Sequence, residues 1–154
     1  MQAYDFNRLG ADMDRWMNQR FMDPIAYQNY GWEYWIQIDF IAWLDQSYGA
    51  QFDFQREIPW GGSRLDWLAN QNSPGTPLTG LEIKAQTIKA KASDFVASVD
   101  SDVAKLQAMA GLAQKMMIVG VVSPEVQQAL NARGFVPLTQ PAGGADAVIY
   151  QKAI

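Results

Sequence analysis

A chain of 154 residues, 49% hydrophobic and 18% charged, has the size and composition of one globular domain with a single core, not of a disordered chain. It contains no cysteine and no histidine, which excludes disulfides, thiolate- or imidazole-bound zinc, Ser-His-Asp and Cys-His triads and HNH-type chemistry. A net charge of −4 and a pI near 4.7 weigh against capture of nucleic acid by overall charge, so any basic surface has to be local.

In chain order, residues 1–23 carry Met, Trp, Asp and Arg at spacings that predict a short helix, closed by Asp23-Pro24. Over 31–47, Trp32, Trp35, Ile36, Phe40, Trp43 and Leu44 recur at helical intervals, and Tyr48-Gly49 ends the segment. A helix apolar almost all round is expected to be largely buried. Residues 51–58 alternate as a strand, Pro59-Trp60-Gly61-Gly62 reads as a turn, and 63–69 as a second strand. The composition of 70–77 marks a loop, and 81–88 a third strand.

Val99, Val103, Leu106, Met109, Ala110 and Ala113 predict a helix over 94–114. The unbroken apolar run over 116–122 reads as a strand buried on both faces. Ser123 as N-cap and Pro124 at the first helical position open a short helix that Gly134 ends. A last strand over 147–151 follows Gly143-Gly144.

Three strands joined by short turns form an antiparallel meander, whereas strand–helix–strand units place parallel neighbours side by side. The expected fold is therefore α/β, a mixed central β-sheet flanked by helices. It forms one domain with a helical extension over 1–30, a core over 31–122 and a C-terminal helix and strand over 123–154. No apolar run reaches the roughly 18 residues of a membrane span. Residues 1–5 lack the basic head and apolar stretch of a signal peptide, so the expectation is a soluble, cytoplasmic protein that does not use a membrane. Charge is uneven: residues 1–66 hold ten acids and five bases, and residues 67–154 six acids and seven bases.

With histidine and cysteine absent, chemistry falls to carboxylates, lysine, hydroxyls or a hard cation held by oxygen. In the third strand a period of two puts Leu81, Ile83 and Ala85 toward the core and Glu82, Lys84 and Gln86 on the opposite face. In the strand before it, Arg64, Asp66 and Leu68 share one face and Leu65 and Trp67 the other. A hairpin would bring Asp66 beside Glu82 and Lys84. Two carboxylates at that separation repel unless a cation lies between them, and a neighbouring ammonium can stabilise a phosphate under attack. The grouping suits hydrolysis of a phosphodiester with Mg²⁺ or Mn²⁺.

The stretch Arg56-Glu57-Ile58-Pro59 through Ser63-Arg64-Leu65-Asp66-Trp67-Leu68, followed by Gly80-Leu81-Glu82-Ile83-Lys84-Ala85-Gln86, resembles the PD-(D/E)XK, or restriction-endonuclease-like, superfamily. The resemblance covers roughly residues 31–122, and the element order matches that family's αβββαβ core. It implies a metal-dependent endonuclease acting on DNA or structured nucleic acid, with Asp66 and Glu82 as metal ligands and Lys84 as the catalytic lysine. It also implies a further ligand from the first core helix, where Glu33 stands, and a polar residue two positions after the lysine, where Gln86 stands. Leu65 precedes Asp66 where the usual motif has proline.

Other residues keep two readings. Glu33 is a metal ligand or a surface carboxylate, and Gln37, one turn on, supports it or packs. Arg64 contacts phosphate or neutralises the acids. Asp102 and Lys105 line the cleft or form a solvated i,i+3 pair. The six tryptophans read as core, with Trp60 the one candidate for base stacking. Lys89 and Lys91 form a wet loop or border the cleft. Many nucleases of this fold pair as homodimers. The competing function is a catalytically inactive nuclease-fold domain that binds a protein partner as an immunity or inhibitor protein, which small size and acidity favour.

Overall fold

The computed structural model describes residues 1–20, 32–141 and 147–154. A 3₁₀ turn, Phe6–Arg8, leads into α1 (Leu9–Gln19), and α2 spans Trp32–Tyr48. The strands β1 (Phe54–Trp60), β2 (Ser63–Ala69) and β3 (Thr79–Ala85) follow, then α3 (Ala92–Ala108), β4 (Gln114–Val121), α4 (Pro124–Ala132), β5 (Val136–Pro137) and β6 (Val148–Ala153). All six strands join one sheet in the order β1-β2-β3-β4-β6-β5. Every neighbouring pair is antiparallel except β3 with β4, which the α3 crossover makes parallel. The protein is thus a mixed α/β fold with an αβββαβ core, as the strand and helix patterns lead one to expect. The expected closure at Asp23-Pro24, the helix start at Gly31 and the Gly143-Gly144 loop lie outside the described residues.

Two apolar layers cover the sheet. Leu9, Met13 and Trp16 of α1 and Trp32, Ile36, Phe40 and Leu44 of α2 pack with Trp67, Leu81, Ile83 and Ile118 on one face. Phe95, Val99 and Leu106 of α3 and Val126 and Leu130 of α4 pack with Leu68, Met117, Val119 and Val121 on the other. β4 feeds both layers, which explains its unbroken apolar run. α2 is less enclosed than its composition suggests: Tyr34 and Ile38 stand 57% and 51% exposed, so one side of the helix faces outward. No helix among the described residues is long and apolar enough to cross a membrane.

Local chemistry sets most boundaries. Gly49, at φ 60, takes the left-handed turn that ends α2. The Ser123 hydroxyl accepts from the Val126 amide and Pro124 opens α4. α3 stops at Ala108, short of residue 114. Met109 is already extended, and the Ala113 and Gln114 amides donate to the Leu78 carbonyl, so this stretch has joined the approach to β3 and β4. β3 likewise ends at Ala85, not at 88, and the Gln86 side chain beyond it bonds to the loop after β4.

One contact joins packing to the site. The rim of the Trp32 indole lies against Gly120 of β4, where an added Cβ would clash with the ring, and its N–H donates to the Gln86 carbonyl at 2.8 Å. The ring is rigid and pinned, so it cannot yield to a side chain. Gly120→Val is expected to destabilise the fold by about 3 kcal/mol, read from urea unfolding. Because Glu33 follows Trp32 directly, the same substitution should also displace that carboxylate.

Candidate active site

β2 and β3 pair only through Ala69↔Thr79, Leu68↔Gly80 and Trp67↔Leu81. Continuing that register would set Asp66 opposite Glu82, but the ladder stops one residue earlier. Beyond Leu81, the β3 amides on the β2 side lose their strand partner, and buried N–H groups need replacements. Two carboxylates supply them. Asp66 Oδ2 accepts from the Ile83 amide at 2.7 Å, and Glu33 Oε2, from the first turn of α2, accepts from the Ala85 amide at 3.2 Å. Where the strands part, two acids, Asp66 from β2 and Glu33 from α2, therefore accept from amides two residues apart along β3.

The parting coincides with a backbone irregularity in the neighbouring strand. Glu57 of β1 takes φ 53, a left-handed conformation unusual for a residue with a side chain, and neither it nor Asp66 appears in the β1–β2 ladder. Alternation breaks here: Leu65 and Leu68 both pack under α3, while Trp67 faces α2. The expectation that Leu65 and Trp67 share a face is corrected accordingly. Arg64 goes elsewhere too. It is 65% exposed and pairs with Glu57 at 2.9 Å, with no contact to Asp66.

Across the α3 face lies a grid of four charges. Glu82 Oε2 meets Lys105 Nζ at 2.6 Å, and Lys84 Nζ meets Asp102 Oδ2 at 3.1 Å. Asp102 and Lys105 are one helical turn apart and sit over two β3 residues on one face, so each turns to the strand and not to its helical neighbour. The i,i+3 pair weighed from spacing alone is replaced by two helix-to-strand pairs. Both lysines keep 30% of their side-chain surface, whereas Glu82 keeps 4%. Glu82 Oε1 is buried with no hydrogen-bond partner.

The electrostatics follow from this placement. Burial pushes the Glu82 carboxyl up to about 7, with Asp66 and Asp102 adding to it and Lys105 opposing. Burial also raises Asp66, against the Ile83 hydrogen bond and Lys105. It raises Glu33, where Asp66 adds and Lys84 opposes. For Lys84, burial disfavours the ammonium, but Asp102, Glu33 and Asp66 outweigh it and the pKa rises. Three acids that resist ionisation around two ammonium groups form the kind of strained electrostatics that functional sites concentrate.

The remaining candidates divide. Gln86 is buried, and its side-chain oxygen accepts from the Val122 and Ser123 amides while its NH₂ donates to the Ser123 hydroxyl, so it clamps β3 to the loop before α4. Gln37 accepts from Arg56 at 3.1 Å, and its carbonyl takes the Trp67 indole N–H; it braces α2 against β1 and β2 and does not reach Glu33. The Trp60 indole N–H donates to the Ala110 carbonyl, which ties the β1–β2 turn to the loop after α3 instead of freeing a stacking platform. Lys89 and Lys91 are exposed. The Ile83 and Ala85 amides are parts of the site that side-chain patterns do not announce; only the length of the β2–β3 ladder reveals them.

Among the described residues no group of three or more acids stands arranged to hold a metal ion. In chemistry alone, carboxylate oxygens without histidine or cysteine match Mg²⁺ or Mn²⁺ better than zinc, and among the described residues the buried Glu82 Oε1 has no hydrogen-bond partner. No protein-family model, curated protein or solved structure matches the chain.

Proposed function

We propose that the protein is a metal-dependent endonuclease of the PD-(D/E)XK type that hydrolyses phosphodiester bonds of DNA or structured nucleic acid, working in the cytoplasm. What supports this reading is that β2 and β3 part beside Asp66, that Asp66 lies close enough to act electrostatically on Glu82 and Lys84, and that the buried Glu82 Oε1 has no hydrogen-bond partner among the described residues. Asp66 and Glu82 would hold Mg²⁺ or Mn²⁺, with Glu33 as a further acid where the strands part. Such an ion, once bound, supplies positive charge to the scissile phosphate and lowers the pKa of the attacking water. The chain's own part is electrostatic and positional. The Ile83 and Ala85 amides fix the Asp66 and Glu33 carboxylates, and Lys84, held protonated, meets the charge that builds on the phosphate.

The test is a cleavage panel on duplex, single-stranded and branched DNA and on RNA, with EDTA, Mg²⁺, Mn²⁺ or Ca²⁺. Cutting of DNA that needs Mg²⁺ or Mn²⁺ and vanishes in Asp66→Asn supports the reading; no cutting of any substrate overturns it. The second reading, an inactive nuclease-fold domain that binds a protein partner as an inhibitor, is favoured by one observation. Both lysines at the site are already neutralised by acids of the same chain. Calorimetry with Mn²⁺ separates the two, since a partner-binding domain has no need of the ion.

A further inference from the structure

Among the described residues, Arg56 is the arginine that is neither exposed nor paired with an acid. Arg8, Arg20, Arg64 and Arg133 each have a carboxylate within ion-pair distance, and Arg15 is exposed. Arg56, on the edge strand β1, is partly buried, and its hydrogen bond runs from Nη2 to Gln37 Oε1 at 3.1 Å. Its Nε is buried without an acceptor among the described residues. Gln37 is itself buried on α2, so its amide orients the guanidinium, yet a neutral acceptor leaves the positive charge uncompensated. Drawing an arginine partly out of water with no carboxylate beside it is unfavourable until an anion completes the setting.

Both neighbours of Arg56 adjoin residues of the candidate active site. Gln37 lies one helical turn past Glu33 on α2, and Trp67, opposite Arg56 in the β1–β2 ladder, follows Asp66. Lys84 and Lys105 are already paired with Asp102 and Glu82, whereas the Arg56 charge is free for an outside partner. A forked guanidinium suits a phosphate above other anions of a nucleic acid's surroundings. We propose that Arg56 is a phosphate-binding residue: it takes a backbone phosphate beside the one being cut, and so lays the strand from the β1 edge toward the place where β2 and β3 part. This rests on the nucleic-acid reading given above and requires no metal ion.

Binding of a fluorescently labelled DNA duplex in EDTA, followed by anisotropy from about 50 to 200 mM NaCl, tests it for wild type, Arg56→Gln, Arg56→Lys and Arg133→Gln. Arg56→Gln should bind about ten-fold more weakly at the low-salt end. Its slope of log affinity against log salt should be shallower by about 0.9, the share of one phosphate contact. Arg56→Lys, which keeps the charge, should keep the wild-type slope. Arg133→Gln removes an equal charge from a residue that Asp100 already neutralises, and should leave affinity and slope as in wild type. A wild-type slope in Arg56→Gln, or an equal change in Arg133→Gln, overturns the phosphate contact and leaves the nuclease reading standing. No DNA binding by wild type overturns both. Should Arg56→Gln fail to fold, the wild-type protein answers by itself: added duplex should slow the modification of Arg56 by phenylglyoxal, followed by mass spectrometry, and not that of Arg133. Protection of both alike, or of neither, rejects the contact.

Discussion

Replacing Lys84 with alanine should lower the rate of DNA cleavage by about 10³-fold while leaving the fold intact. The two halves of that expectation have separate causes. Lys84 is raised above the usual lysine range, because Asp102, Glu33 and Asp66 outweigh its burial, so it is an ammonium at neutral pH and acts as a charge and not as a base. A fixed cation beside a phosphate under attack lowers the barrier by the few kcal/mol typical of one such group, and alanine removes all of it. The structural loss is far smaller. The Lys84–Asp102 pair keeps 30% and 19% of its side-chain surface in solvent, where ion pairs contribute about 1 kcal/mol or less. Single-turnover cleavage in Mg²⁺, set beside thermal unfolding, checks both halves. Full activity in Lys84→Ala would remove this lysine from the mechanism, and a collapse in Tm would recast it as a structural residue.

That Glu82 and Lys84 share a face is plain from a strand period of two, and so is the proximity of Asp66 on the preceding strand. The sequence pattern does not show how they meet. Asp66 reaches the Ile83 amide because β2 and β3 part after Trp67↔Leu81, and that parting goes with a left-handed Glu57, a conformation no glycine or asparagine at the position announces. Helix spacing places Asp102 and Lys105 on one side of α3, but spacing alone cannot say whether two opposite charges bind each other or the strand beneath. The depth of β3 bears on it, since Glu82, 4% exposed, needs a partner cation more than Asp102, 19% exposed, does.

Boundaries show the same division. β2 runs over the expected 63–69, and α4 begins at the Ser123-Pro124 signal. The helix expected to reach residue 114 ends at Ala108, since Met109, Ala110 and Ala113 suit a helix as well as a loop and only pairing with Leu78 distinguishes them. β5, with Val136 and Pro137 alone, is too short to carry any periodicity, and its place beside β6 is a product of tertiary packing. Position along the chain makes Gln37 and Gln86 candidates for the site, whereas both are buried with their side chains bonded to neighbouring elements, where an unpaired amide would be costly.

The Glu82→Gln protein should melt above wild type by roughly 3–8 °C at about pH 8 without divalent metal, and the gap should close as the pH falls toward 4. Burial lifts the Glu82 carboxyl from 4.5 in the unfolded chain to about 7 in the fold. The folded state therefore holds this proton more tightly than the unfolded state does. For a group raised in this way, the stabilising contribution is fully present below pH 4.5 and is lost as the pH climbs through about 7. The loss is worth at most about 3 kcal/mol, at 1.36 kcal/mol per pKa unit. Asp66 and Glu33 are raised too and add to the same trend. Glutamine at 82 carries no charge to bury, so it keeps that contribution at high pH, and Lys105, 30% exposed, can turn to water. If Glu82 holds the ion as proposed, the same substitution removes a ligand's charge, so added Mn²⁺ should stabilise wild type and not the variant, inverting the order. Calorimetric unfolding across pH 4–9, with and without the ion, reads both effects. A Glu82→Gln protein that melts below wild type at pH 8 would mean that the Lys105 ion pair outweighs the desolvation of Glu82. The tension between a stable fold and a charged, ion-ready site would then not be located at this residue.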